Sequence, residues 1–198
     1  MLFDFVWSDP HFGHANVIKY SERPFASADD MDTTLIANYV RNVGTKNTVL
    51  WVGDVSFHSF ERTAEIIVSL PGRKVLVLGN HDRSAAQMAR LGFEVVTDRL
   101  TLTIAGRVVR VSHLPYRGMD SREIATRSEG DEKRERGLPT WERRGSDEWL
   151  LHGHTHSKRR RNGQAIHVGV DAWDYAPVHW SAIAREIVTT ELPQDPTP

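Results

Sequence analysis

Lys74-Val75-Leu76-Val77-Leu78-Gly79-Asn80-His81-Asp82 is an apolar run that stops at a glycine and then presents an amide, an imidazole and a carboxylate. A short, partly β-branched run closed by a turn residue predicts a buried strand with a tight turn at its end. The same grammar recurs at four other places. Residues 2–7 lead into Asp9-x-His11, 48–52 into Gly53-Asp54, 108–111 into Ser112-His113, and 149–151 into Gly153-His154-Thr155-His156. A strand that ends in a turn hands its next residues to one edge of a sheet. Five such strands side by side would pool these groups in one crevice. Carboxylate, imidazole and amide donors without sulfur suit divalent metals of borderline softness, so a metalloenzyme is expected.

Outward from these clusters, amphipathic helices are predicted over 29–43, 60–70 and 84–91, closed by Gly44, Pro71-Gly72 and Gly92, with Ser84 as an N-cap. Residues 14–25 read as a loop with one helical turn. Strands over 100–105 and 107–111 flank Gly106 as a hairpin, 165–168 is a further strand, and 181–188 is a final helix. Strands alternating with helices, joined to an antiparallel hairpin, make an α/β protein with a mixed sheet. A chain of 198 residues suits one domain, set here at 1–190. Two segments break the rhythm: 116–148, dense in both charge signs and glycine, is expected to be a lid-like insertion, and 191–198, with three prolines, a flexible tail.

A formal net charge of −1 announces no polyanion-binding surface, and the absence of cysteine excludes disulfides, thiolate zinc sites and a thiol nucleophile. No apolar run approaches membrane-spanning length, and the first expected ligand at Asp9 leaves no room for a cleaved leader, so a cytoplasmic protein without a membrane partner is expected.

In their order and spacing, Asp9-x-His11, Gly53-Asp54, Gly79-Asn80-His81-Asp82, Ser112-His113 and Gly153-His154-Thr155-His156 together resemble the calcineurin-like metallophosphoesterase superfamily. The run from Ser8 to His14, with Arg23-Pro24-Phe25 behind it, and the segment from Val168 to Tyr175 are similar to a small bacterial and phage branch of it. The resemblance implies a four-layer α/β/β/α sandwich of two mixed β-sheets. It implies two divalent ions, with Asp9, His11, Asp54 and His156 on the first and Asp54, Asn80, His113 and His154 on the second. Asp54 would bridge, as a carboxylate offers two anionic oxygens. His154 and His156, two apart on an extended segment, would point to one side. By the same resemblance His81 is the general acid for the leaving alkoxide, and water between the ions is the nucleophile.

One departure stands out. Where the protein phosphatases carry Gly-Asp-x-x-Asp-Arg, this chain has Gly53-Asp54-Val55-Ser56-Phe57-His58. The second acid is Phe57, and the phosphate-gripping arginine is absent. A monoester dianion gains most from that cation, so phosphodiesters, small cyclic nucleotides above all, are the expected substrates. A nuclease or phosphomonoesterase of the same superfamily and a non-catalytic binding scaffold stay open as alternatives, and nucleic acid stays open as a partner. Manganese is the first choice of metal, with iron, nickel and zinc also accepted by this donor set. His14, Arg23 and Asp82 are the candidate substrate contacts, beside plainer readings: loop-positioning for His14, stem packing near Phe25 for Arg23, and orientation of His81 for Asp82. Asp171 is read first as a turn-stabilising residue and second as an acceptor for a ligand imidazole. His58, His167 and His179 are read as structural or exposed, and the 159–161 arginine run as a solvated face.

Overall fold

The computed structural model describes residues 3–116 and 148–189. In chain order the first half comprises β1 (Phe5–Trp7), α1 (Ala15–Tyr20), α2 (Ala28–Asn42), β2 (Thr48–Trp51), α3 (Phe60–Ser69), β3 (Arg73–Val77), α4 (Ala85–Arg90) and β4 (Val95–Thr97). The rest comprises β5 (Leu100–Ile104), β6 (Arg107–Val111), β7 (Trp149–His152), β8 (Arg161–Asn162), β9 (Ala165–His167), β10 (Val178–His179) and α5 (Trp180–Val188). One five-stranded sheet has the order β10-β1-β2-β3-β4 and the other β5-β6-β7-β9-β8. Both are mixed: β10 is antiparallel on β1, and the hairpin β5–β6 is antiparallel beside the parallel strands β6, β7 and β9. This is the expected α/β sandwich of two mixed sheets.

Strand periodicity sorts the core. Val6, Leu50, Val52 and Val77 face the second sheet, where they meet Val109, Val111, Leu151 and Ile166. On the opposite face Trp7, Val49, Trp51 and Leu76 pack against Met31, Leu35 and Tyr39 of α2 and Ile66 and Ile67 of α3. Trp7 and Trp51 meet edge to face, with centroids 5.0 Å apart. The far face of the second sheet carries a small cluster of Tyr116, Leu150 and Ala165, while α5 sets Ile183 and Ile187 into the core between the sheets.

The helices start where the sequence marks them. Ser27 Oγ accepts from the Asp30 amide at 3.1 Å, and Ser59 Oγ from the Arg62 amide at 3.2 Å. Gln87 Oε1 reaches back to the Ser84 amide at 3.3 Å.

Three expectations need correction. The first strand begins at Phe5, not residue 2. The short edge strands β4, β8 and β10 were not anticipated. The five ligand-bearing strands do not lie side by side: β1, β2 and β3 belong to one sheet, β6 and β7 to the other. Their loops still converge because the sheets are stitched at that end, Ser8 bridging to Gly169 and the Val170 amide donating to Ser8 O at 3.0 Å. Of the lid expected over 116–148, residues 117–147 lie outside the described residues, as does the tail over 191–198. Among the described residues no helix is long and apolar enough to cross a membrane.

Candidate metal centre

Five of the seven expected ligands sit in the left-handed backbone region: Asp9 (φ 56°), His11 (52°), Asp54 (56°), His154 (70°) and His156 (51°). Aspartate and histidine tolerate this region better than most residues, yet each position costs about 1–3 kcal/mol and persists only where its surroundings enforce it. Here they do. The Asp9 amide donates to Gly53 O at 3.1 Å, the His11 amide to Asp54 O at 3.2 Å, and the His154 amide to both Asp9 oxygens at 3.0 and 3.1 Å. His154 and His156 are therefore not on an extended segment. The turn sends them to different places.

Two groups result. Asp9, His11 and His156 form one, and Asp54, His113 and His154 the other, the donor atoms within each group lying inside 4.8 Å of one another. Asn80 joins the second, its Oδ1 standing 2.9 Å from His113 Nε2 and 3.1 Å from His154 Nδ1. Asp54 lies between them: its Oδ2 is 3.4 Å from His11 Nε2 and 3.3 Å from His113 Nε2. Its other oxygen accepts the His81 amide at 2.9 Å. The expectation that one oxygen serves each side thus gives way to a single oxygen facing both.

Close glycine packing makes this possible. A Cβ on Gly79 would fall on Asp54 Oδ1 and the Asp54 amide, and one on Gly153 would meet Ser8 Oγ and Asp9 Oδ2.

The donor set fits cations. His113 Nδ1 lies 2.7 Å from Val52 O, a partner that needs a donor, so the ring's proton belongs there and the Nε2 lone pair faces Asn80 Oδ1 and Asp54 Oδ2. His156 Nδ1 is likewise 3.0 Å from Asp171 Oδ2, and His11 Nδ1 is 3.3 Å from His14 Nδ1, leaving His11 Nε2 buried with no hydrogen-bond partner among the described residues. Lone pairs that face one another, with their protons anchored behind, are what a cation satisfies. Electrostatics agrees: burial opposes charge on His113, but the Asp54 carboxylate overrides it and raises its pKa to about 10. Burial likewise opposes charge on Asp54, yet His113 and His11 hold its carboxyl well below the usual range. Without a metal, a proton substitutes for the missing positive charge.

Of the candidate substrate contacts, Arg23 is turned inward. It is 4% exposed and forks onto Asp171 (Nε to Oδ1 2.9 Å, Nη2 to Oδ2 2.8 Å) while donating to Asp9 O at 2.8 Å and Pro10 O at 3.1 Å. Asp82 spends its carboxylate on the Asp54, Val55 and Gly79 amides at 3.1, 2.9 and 2.8 Å, clamping the two turns together. Burial, then repulsion from Asp54, pushes its pKa up to about 7. His14 stacks on Phe57, with centroids 3.8 Å apart and planes 15° apart. Burial lowers its pKa to about 4, so the ring is neutral and can accept the His11 proton. His81 lies with its ring 5.8 Å from that of His11 and 5.1 Å from that of Phe57, on the wall of a pocket of about 420 Å³.

Asp171, expected first as a turn-stabilising residue, instead holds the His156 imidazole, an expected ligand. A signal was present, since 165–168 followed by Gly169-Val170-Asp171 repeats the strand–glycine–acid grammar of the other clusters. His58 pairs with Asp32 at 2.6 Å, His179 caps α5, and His167 is buried beside His152. Of the arginine run, Arg161 opens β8 and Arg160 lies over the Trp173 ring at 4.2 Å.

No protein-family model matches the chain. The gene 66 protein of Mycobacterium phage D29 is 34% identical over 197 residues, covering 87% of this chain and 92% of that protein. Among solved structures, a protein of unknown function from Aquifex aeolicus shares the fold, with a TM-score of 0.66 at 23% identity over 92% of this chain and 98% of that one. A phosphoesterase from E. coli, YfcE, is a remote likeness with a TM-score of 0.37 at 16% identity, over 83% of this chain and 76% of that one.

Proposed function

We propose that this chain, which belongs to the family of the mycobacteriophage gene 66 proteins, is a metal-dependent phosphoric ester hydrolase acting on nucleotide phosphodiesters, small cyclic nucleotides first among them. The observation that carries the reading is Asp54 Oδ2, within 3.4 Å of an imidazole from each of two acid–imidazole groups. Asp9, His11, His156 and Asp54 would hold one divalent ion, and Asp54, Asn80, His113 and His154 the other, manganese being the first choice among metals this donor set accepts. When bound, such a pair supplies positive charge to the phosphoryl oxygens and lowers the pKa of water.

The chain's own residues do the rest. Asp171, Val52 O and His14 hold the protons of His156, His113 and His11 away from the ions, so that each ring offers its Nε2 lone pair. Asn80 adds an oxygen without adding negative charge. His81, on the pocket wall, is the proton donor to the departing oxygen. A positioned imidazole contributes about 10²–10⁴-fold to such a step. The preference for diesters follows from position 58, where a phosphate-gripping arginine is replaced by a histidine paired with Asp32. A diester carries one negative charge and needs less than a monoester's dianion.

The test is a turnover panel with the manganese-loaded chain: an aryl phosphodiester, an aryl phosphomonoester, 2′,3′ and 3′,5′ cyclic nucleotides and single-stranded DNA. Hydrolysis of the diesters, with cyclic nucleotides above the monoester and the DNA, is expected. Monoester hydrolysis alone would refute the diesterase reading, DNA cleavage alone would point to a nuclease, and no turnover would point to a scaffold.

A further inference from the structure

We infer that the pocket beside His81 is a subsite for a planar aromatic group, a nucleobase on the leaving side of the substrate, with Phe57 as its platform. The inference rests on the diesterase reading and names what that site would select. The pocket is about 420 Å³, within the range of small-molecule sites, and its walls include Phe57, Asn80, His81 and Arg83. Asn80 and His81 come from the turn that reaches the metal centre, so a group filling the pocket adjoins the reacting phosphorus. His81 serves the departing oxygen. A group lodged against His81 is therefore the one attached to that oxygen.

Phe57 is built as a platform. It is 39% exposed, unusual for a benzyl side chain with a core so near. Yet it is fixed: one neighbour, His14, stacks on it nearly in parallel at 3.8 Å, and His11 lies near-parallel at 5.3 Å. Its amide donates to Phe12 O at 2.8 Å, and the following amide, of His58, is held by Ser56 Oγ at 3.1 Å. A ring already immobilised loses little entropy when a base stacks on it, and any base offers a π face. Arg83, anchored through Nη2 to His58 O at 2.9 Å, places a cation in the same lining and favours an anionic ligand.

The experiment compares two matched diesters on the manganese-loaded full chain, a dinucleoside monophosphate and its counterpart with an abasic ribose on the leaving side. Phosphorus and leaving alkoxide are then the same, and only the base differs. The wild-type kcat/KM ratio should favour the base-bearing diester by about tenfold or more. Phe57→Leu, which keeps apolar cover but loses the π face, should bring the ratio towards one with metal content unchanged, and Phe57→Trp should restore it. In parallel, equilibrium dialysis of adenosine against the loaded chain should show binding that Phe57→Leu weakens. Equal turnover of both diesters by the wild type, or a ratio untouched by Phe57→Leu, would overturn the subsite and leave Phe57 as a cover over His11 and His14. If the wild type cleaves no diester, the diesterase reading falls on its own. The subsite is then decided by the dialysis, where adenosine binding that ignores Phe57→Leu, or none at all, overturns it.

Discussion

Replacing Asp171 with asparagine should destabilise the metal-free protein and loosen its hold on one metal, through the two partners that the same carboxylate holds, Arg23 and His156. The Arg23 and Asp171 side chains are both 0% exposed, joined by a fork of 2.9 and 2.8 Å. Asparagine preserves the shape, so no cavity forms, but it leaves a buried guanidinium without its counter-charge. Breaking a buried pair from one side costs about 3–5 kcal/mol. At about 2–4 °C per kcal/mol for a chain of this size, thermal unfolding in chelator at pH 7 should fall by roughly 6–20 °C. The pH dependence has a definite sign. Burial pushes the Asp171 carboxyl up, but His156 and Arg23 more than reverse this and hold it below the usual range. A depressed carboxyl contributes stability that is present above the ordinary aspartate pKa of about 3.9 and is lost as the pH falls below it. The gap between wild type and variant should therefore be full at pH 7 and shrink below about pH 4. Asparagine leaves one oxygen for three donors, so the support behind His156 weakens and the affected metal site should bind about 10–100-fold less tightly in a calorimetric titration. A fall of less than about 2 °C at pH 7, or a gap that persists undiminished at low pH, would refute the reasoning.

Further outcomes follow from the same geometry. His81→Ala should cut turnover of an unactivated diester by about 10²–10⁴-fold while bound metal, measured by elemental analysis, stays the same; loss of metal instead would mean that His81 is a ligand. Gly79→Ala drives a methyl into Asp54 Oδ1 and the Asp54 amide, so both sites should bind metal about tenfold or more weakly with the circular dichroism spectrum retained; unaltered binding would contradict the crowding. In chelator, His113 contributes stability that is fully present below the ordinary histidine pKa of about 6.5 and is lost as the pH rises towards about 10. The melting temperature of the metal-free protein should decline across that interval, and His113→Ala should flatten the decline.

What could be read from the chain, and what could not, divides by the range of the interaction. Helices α2, α3 and α4 were legible because their signals are local: Leu35 and Tyr39 recur at helical spacing in α2, Ser84 stands at the start of α4, and Gly44, Pro71-Gly72 and Gly92 mark the ends. Strands β2, β3 and β6 were legible as apolar runs ended by turns. The edge strands β4, β8 and β10 have two or three residues, too few for a period to show. The metal-side residues were visible because aspartate, histidine and asparagine directly behind strands have few other uses in such numbers. Their backbone was not visible: the left-handed angles at Asp9, His11, Asp54, His154 and His156 depend on amides from other loops. Arg23 and Asp171 are 148 residues apart, and nothing local to either announces the other. Asp82 was misread for a related reason, since its three partners are backbone amides, which every residue carries.

Metal stoichiometry decides whether two cations share Asp54. Chelated protein would be reloaded with manganese, freed of excess metal and analysed for ions per chain, beside Asp54→Asn treated in the same way. Two ions in the wild type, and weakened retention of both in the variant, are the predicted result. One ion in the wild type, or a variant that gives up one ion and keeps the other at full affinity, would contradict it.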